Sequence, residues 1–260
     1  MNKLITVSLL ALGATSSQAK LNTKLVEYKQ GDTVLEGYLA WDDSRKTPSP
    51  GVLIVHEWTG VGYYVKGRAE QLAKLGYVAF AADIYGKGVR PQTPQEAGAE
   101  AGKYRADRQL MRARAQAGLE ILKKSPGVDS ARLAAIGYCF GGGVVLELAR
   151  SGADVKGVVS FHGNLDTPDV KDAQRIRGRV LVLHGGADPF IPFEQVQAFR
   201  QEMESAKVDY QVVVYSGAQH SFTNPASDGR LPGALYNAQA DRRSWKEMQA
   251  FFADLFGASL

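Results

Sequence analysis

The chain has one cysteine, Cys139, among 260 residues, so no internal disulfide can form. It has no run of five or more like charges, and its formal charge is only +4. The basic stripe that nucleic acid or an anionic membrane requires is therefore missing. The densest basic stretch, Arg105 to Arg114, alternates with apolar residues and reads as the wet face of a helix. No apolar run reaches the ~20 residues needed to cross a bilayer, so no stable membrane insertion is expected. Internal repeats, low-complexity tracts and an interdomain linker are also lacking. There is no Walker-type phosphate loop. The four histidines show neither an i, i+4 pair nor metal-ligand spacing. No metal and no cofactor are expected.

What is present is ordinary for a soluble globular protein: 45% apolar and 22% charged residues. The length suits one large core. Residues 1–19 read as a secretory signal peptide. Lys3 gives a short positive start, residues 4–13 are apolar, and Ser17-Gln18-Ala19 ends in small residues as a signal peptidase requires. Residues 20–260 would then form a single exported domain, periplasmic, acting as a monomer or small homo-oligomer. A lone thiol sent to an oxidising compartment is a liability unless it is buried or used.

Strand-like and helix-like segments alternate. A hairpin is expected over residues 24–28 and 34–41. Buried apolar strands follow at 52–56, 78–82, 133–137, 155–161 and 180–184, with a further strand at 210–215. Helical patterns cover 65–75, 95–124 (broken near Gly102), 142–150, 193–206 and 234–256. The fold class is α/β, a mostly parallel sheet with helices on both faces. In such sheets chemistry gathers at the strands' carboxyl ends.

Gly137-Tyr138-Cys139-Phe140-Gly141 has the form glycine, any residue, nucleophile, any residue, glycine, and lies between a strand and a helix. The glycines relieve crowding at a sharp turn. The helix amino terminus favours thiolate over thiol and steadies an oxyanion, with the Phe140 N–H as first donor. A plainer reading is open: Cys139 as a small buried hydrophobe in a glycine-rich helix start.

Hydrolases with this elbow carry nucleophile, acid and histidine in that chain order. Asp188 follows the strand at 180–184 and His220 follows the strand at 210–215. His220 would move the thiol proton, and Asp188 would fix its tautomer. Trp58, after the strand at 52–56, is the expected second oxyanion donor. Glu57 beside it has two readings: a desolvated carboxyl with a raised pKa touching the Cys139 thiol, or a solvent-facing loop residue. His56, His162 and His184 are read as structural hydrogen-bonding groups.

These residues resemble the dienelactone hydrolase (carboxymethylenebutenolidase) family. The resemblance rests on His56-Glu57-Trp58, Gly137 to Gly142, Gly186-Ala187-Asp188-Pro189 and Gln219-His220-Ser221-Phe222. It implies an α/β-hydrolase fold, a triad of Cys139, His220 and Asp188, and a Glu57 that holds the resting thiol. Known members bind a substrate carboxylate through an arginine soon after the histidine, where this chain has Asn224. Lys87 and Arg90 have two readings, as replacement cations or as ordinary surface charges. Tyr85, Tyr104, Trp58, Phe222 and Asn224 are pocket candidates by position. The implied function is hydrolysis of a small ester or lactone through a thioester. Acyl transfer, or a non-hydrolytic thiol-redox or ligand-binding role, remain the alternatives.

Overall fold

The computed structural model describes residues 20–44 and 47–257, and the expected leader lies outside the described residues. Two antiparallel strands, β1 (Leu21–Gln30) and β2 (Thr33–Asp42), open the chain. They turn at Gly31, whose φ of 56° suits glycine. Six strands follow: β3 (Ser49–Val55), β4 (Val78–Ala82), β5 (Val128–Tyr138), β6 (Gly157–Phe161), β7 (Arg179–Gly185) and β8 (Tyr210–Tyr215). The sheet order is β1-β2-β4-β3-β5-β6-β7-β8. Pairing is parallel from β4 through β8, and β2 joins β4 antiparallel.

Among the described residues, six α-helices cover the sheet: α1 (Tyr63–Lys74), α2 (Pro94–Ala106), α3 (Arg108–Lys123), α4 (Phe140–Arg150), α5 (Phe193–Ala206) and α6 (Ala238–Phe256). Successive strand residues point to opposite faces, so β3 feeds two cores. Val52 and Ile54 pack with Val65, Ala69 and Leu72 of α1 and Met248 and Phe252 of α6. Leu53 and Val55 belong to the opposite core, which also holds α3, α4 and α5 residues such as Leu119, Val144 and Phe199. Each fully buried side chain of this size contributes about 2 kcal/mol of transfer free energy. This is the layered architecture the sequence predicts.

Several boundaries differ. The helix expected over 95–124 breaks at Asp107, not Gly102. Asp107 ends α2 and caps α3, its carboxylate accepting from the Leu110 N–H at 2.9 Å. A cap satisfies an orphan donor, whereas one glycine inside a helix costs only about 1 kcal/mol. Residues 234–237 are not helical. The Leu235 N–H bonds the His220 carbonyl at 3.0 Å, and Asn237 then caps α6. That segment thus ties the His220 loop in place. β5 begins before the expected 133, and a 3-10 helix at Val170–Arg175 was not foreseen.

Because β3 to β8 run parallel, their carboxyl ends share one edge. His56, Asp83, Cys139, His162, Asp188 and His220 all follow those ends.

Candidate active site

Cys139 sits between β5 and α4 with φ 54° and ψ −117°. That is left-handed backbone, strained for a residue with a side chain. Two neighbours hold it there. Its N–H bonds the Phe161 carbonyl at 3.0 Å and His162 Nδ1 at 3.2 Å. The flanking glycines are obligatory. A Cβ on Gly137 would strike the Gly141 carbonyl, and one on Gly141 would strike the backbone carbonyls of Val55 and His56. His162 (φ 41°) and Ser221 (φ 55°) are also left-handed, so strain gathers around this turn.

His220 Nε2 lies 3.1 Å from Cys139 Sγ, and its Nδ1 lies 2.8 Å from Asp188 Oδ2. The second Asp188 oxygen accepts from the Phe190 N–H (2.9 Å) and Ile191 N–H (3.3 Å). That turn aims the carboxylate. The Phe190 ring meets the imidazole edge-on at 5.3 Å. Burial pulls the His220 pKa down, but the Cys139 sulfur and the Asp188 carboxylate outweigh it and push it up to about 10. Protonated imidazole beside sulfur is thereby favoured. The structure brings together the three residues that the sequence selects.

The Glu57–Trp58 peptide is clamped. His56 Nδ1 lies 2.6 Å from the Glu57 carbonyl, and His56 Nε2 accepts from the Ile84 N–H at 3.2 Å. These bonds require the neutral tautomer with its proton on Nδ1, and burial lowers the His56 pKa to about 4. The Gly60 N–H also bonds the Glu57 carbonyl, and the Tyr85 hydroxyl donates to the Trp58 carbonyl at 3.1 Å. In a trans peptide the N–H opposes the C=O, so the Trp58 N–H faces away from His56. Phe140 opens α4, so its N–H has no intrahelical acceptor.

Glu57 is buried, and Asn224 Nδ2 donates to its Oε2 at 2.7 Å. Burial pushes its pKa up to about 7, against the lowering effects of Asn224, His220 and Arg68. The buried reading of Glu57 holds. Its expected grip on the thiol does not: the carboxyl bonds Asn224, while the sulfur bonds His220. An amide within reach of the carboxylate competes with a weakly donating thiol.

Other expectations need correction. Lys87 pairs with Glu27 on β1 and does not line the cavity. Phe222 is fully buried, packed on His162 and Tyr215 beneath the site. Arg90 does reach the cavity wall, but its guanidinium bonds the carbonyls of Val61 and Val89 and lies 3.9 Å from Asp83. Tyr85 is a buried brace, with Tyr104 donating to its carbonyl at 3.0 Å. Trp58 and Asn224 line the cavity, whose volume is about 930 Å³. Cys139 is 7% exposed and is not part of that wall, although Glu57 and Ser221 are.

Sequence reasoning missed a buried relay behind the elbow. His162 Nε2 meets Thr223 Oγ1 at 2.7 Å, and Thr223 meets the Tyr64 hydroxyl at 2.6 Å. Arg68 donates to the Thr223 carbonyl and pairs with Asp241. Burial, reinforced by His220, holds the His162 pKa well below its usual value. His162 is therefore neutral, accepting at Nδ1 and donating at Nε2. Its place after a buried strand was the only sequence signal.

Comparison with known proteins decides the lineage: residues 35–256 match the model of the dienelactone hydrolase family. The chain belongs to that family. A crystal structure of a dienelactone hydrolase-like promiscuous phosphotriesterase, P91, from metagenomic libraries is 40% identical. It superposes with a TM-score of 0.88, covering 92% of this chain and 100% of its own. A Synechocystis protein named "Putative carboxymethylenebutenolidase" is 29% identical over 248 residues, 89% of this chain and 96% of its own. An uncharacterized Caenorhabditis elegans protein, K02A2.1, is 38% identical over 149 residues, 56% of this chain and 94% of its own. This dienelactone hydrolase family member thus has the α/β-hydrolase fold and is a hydrolase of the ester and lactone type.

Proposed function

We propose that this dienelactone hydrolase homologue cleaves small esters or lactones through a Cys139–His220–Asp188 triad. The unbroken row Sγ to Nε2 at 3.1 Å and Nδ1 to Oδ2 at 2.8 Å carries the reading. The proton shared between Cys139 and His220 rests on the imidazole, and sulfur attacks the carbonyl carbon. The carbonyl oxygen becomes an oxyanion held by the Phe140 and Trp58 N–H groups. Collapse forms the thioester, and the alkoxide leaves with the proton from His220. Water then gives a proton to His220 and its oxygen to the acyl carbon, breaking the C–S bond and releasing the acid. Asp188 keeps the imidazole in the required tautomer throughout.

Phosphotriesters are a second substrate class. The 40%-identical relative is described as a promiscuous phosphotriesterase, and the Phe140 and Trp58 N–H groups proposed for the oxyanion would equally serve the negative charge that builds on a phosphoryl oxygen as sulfur attacks phosphorus. Assays of short activated esters, lactones and a phosphotriester, with Cys139→Ala as control, test the proposal. Turnover at least a thousandfold above that variant supports it. Equal rates would defeat it, and acylation of added amines or alcohols in place of water would mean transfer. Reversible oxidation of Cys139 without turnover would indicate a redox role.

We also read residues 20–260 as one exported domain, from the charged start, apolar stretch and small residues ahead of Lys20. No helix among the described residues is long and apolar enough to cross a membrane. Amino-terminal sequencing of the periplasmic fraction should begin at Lys20. Protein confined to the cytosol with Met1 retained would refute export.

A further inference from the structure

We infer that this site takes esters whose acyl part carries no negative charge near the scissile bond, and that Glu57, pinned by Asn224, turns acidic substrates away. The inference rests on the hydrolase reading above and specifies its substrate class.

The charges of the cavity wall carry it. The wall contains three cations, Lys66, Arg90 and Arg230, and each has other work. Arg90 is committed to backbone carbonyls and Asp83. Arg230 is paired with Asp228 at 2.7 Å. The Lys66 amine sits over the Tyr38 ring at 5.4 Å. A substrate carboxylate would compete with these existing partners for each cation. The wall has two acidic residues, Glu57 and Asp228; Asp228 is paired with Arg230, and Glu57 is the one that interacts electrostatically with His220. It adjoins Trp58, whose N–H is the proposed oxyanion donor, and Asn224 fixes its direction at 2.7 Å. Elsewhere the wall includes the aromatic or neutral residues Trp58, Tyr63, Tyr64, Ser221 and Leu231.

Exclusion by Glu57 must follow its ionisation. The groups acting on it are Arg68, Tyr64 and Tyr138 from α1 and β5, and His220 and Asn224 from the loop after β8. With its pKa pushed up to about 10, His220 stays protonated from pH 6 to 8.5, so its charge shifts the ratio by a constant and adds no pH dependence in that range. With Glu57 titrating at about 7, the carboxylate is present at pH 8.5 and mostly neutralised at pH 6.

The test compares 4-nitrophenyl pentanoate with the 4-nitrophenyl half-ester of glutaric acid, each corrected for spontaneous hydrolysis. The free carboxyl of the half-ester has a pKa of about 4.3 and is ionised throughout. The kcat/KM ratio of neutral to acidic ester should be about tenfold or more at pH 8.5, as like charges a few ångströms apart require. It should fall severalfold by pH 6. In Glu57→Gln the ratio should be small and flat with pH. In Asn224→Ala, which removes a bond favouring the ionised form, the midpoint should move up. A wild-type ratio near one, or independent of pH, overturns the inference while leaving the hydrolase reading intact. An unchanged pH-dependent ratio in Glu57→Gln also overturns it. If neither ester is hydrolysed faster than by Cys139→Ala, the hydrolase reading and this inference fall together.

Discussion

His56 grips the main-chain carbonyl of Glu57 at 2.6 Å, and by doing so sets the direction of the next N–H in the chain. A histidine with both nitrogens bonded to backbone, and kept neutral by burial, acts as a bracket rather than a base. Its replacement should injure transition-state stabilisation and spare the nucleophile. In His56→Phe, kcat for an activated ester should fall roughly tenfold to a hundredfold, below the full cost of deleting an oxyanion donor. Iodoacetamide alkylation of Cys139 should keep its rate and pH profile. A matching loss in alkylation would show that His56 only supports the elbow.

Asp188 takes its orientation from the Phe190 and Ile191 N–H groups and holds His220 at Nδ1. Asp188→Asn keeps the shape but offers an amide where a proton acceptor is required. The imidazole should then adopt the wrong tautomer, and kcat should drop by about 10³ to 10⁴. Steady-state kinetics alongside a melting curve separate this from unfolding. A loss below tenfold would remove Asp188 from the proton path.

Glu57 links the site to stability. Its folded pKa, about 7, lies above the ordinary carboxyl value of 4.5. Between these values the folded chain holds a proton that the unfolded chain has released. Stability from this group is thus complete below about pH 4.5 and is lost as pH rises through 7. Wild type should weaken relative to Glu57→Gln by an amount on the order of 3 kcal/mol between pH 5 and 8. Urea unfolding of both proteins at several pH values measures this directly, and parallel profiles would contradict it.

Gly141 touches the end of β3 so closely that any Cβ would collide with the Val55 carbonyl. Gly141→Ala should destabilise the fold by about 1 to 3 kcal/mol, the usual cost of overpacking. It should also displace Cys139 and abolish turnover even where the protein remains folded. Normal activity in a stable Gly141→Ala protein would mean that the elbow tolerates a wider turn.

Much of this site could be read from the sequence because each element announces itself locally. Cys139 has glycines two positions to either side, between an apolar strand and a helix. Asp188 and His220 follow strand ends in the right order. What could not be read depends on contacts between distant segments. Glu57 and Asn224 are 167 positions apart, and nothing local says that their side chains meet. Lys87 follows a strand end, as expected of a pocket residue, yet its amine turns to Glu27 on the edge hairpin. Phe222 lies two residues from His220, but the left-handed Ser221 between them redirects the chain, and the ring is buried. At Asp107 a side-chain cap outweighs a weaker glycine signal five residues earlier. Position along the chain predicts which edge of the sheet a residue reaches, while side-chain direction is set by partners that only folding supplies.

Trapping the acyl group tests the central claim most directly. The purified enzyme is mixed with a slowly deacylating activated ester, quenched in acid within its first turnovers, and weighed intact by mass spectrometry. The account predicts a mass increase of one acyl group, mapped to Cys139, sensitive to hydroxylamine and absent from Cys139→Ala. Full turnover by Cys139→Ala, or an acyl group on any other residue, would contradict it.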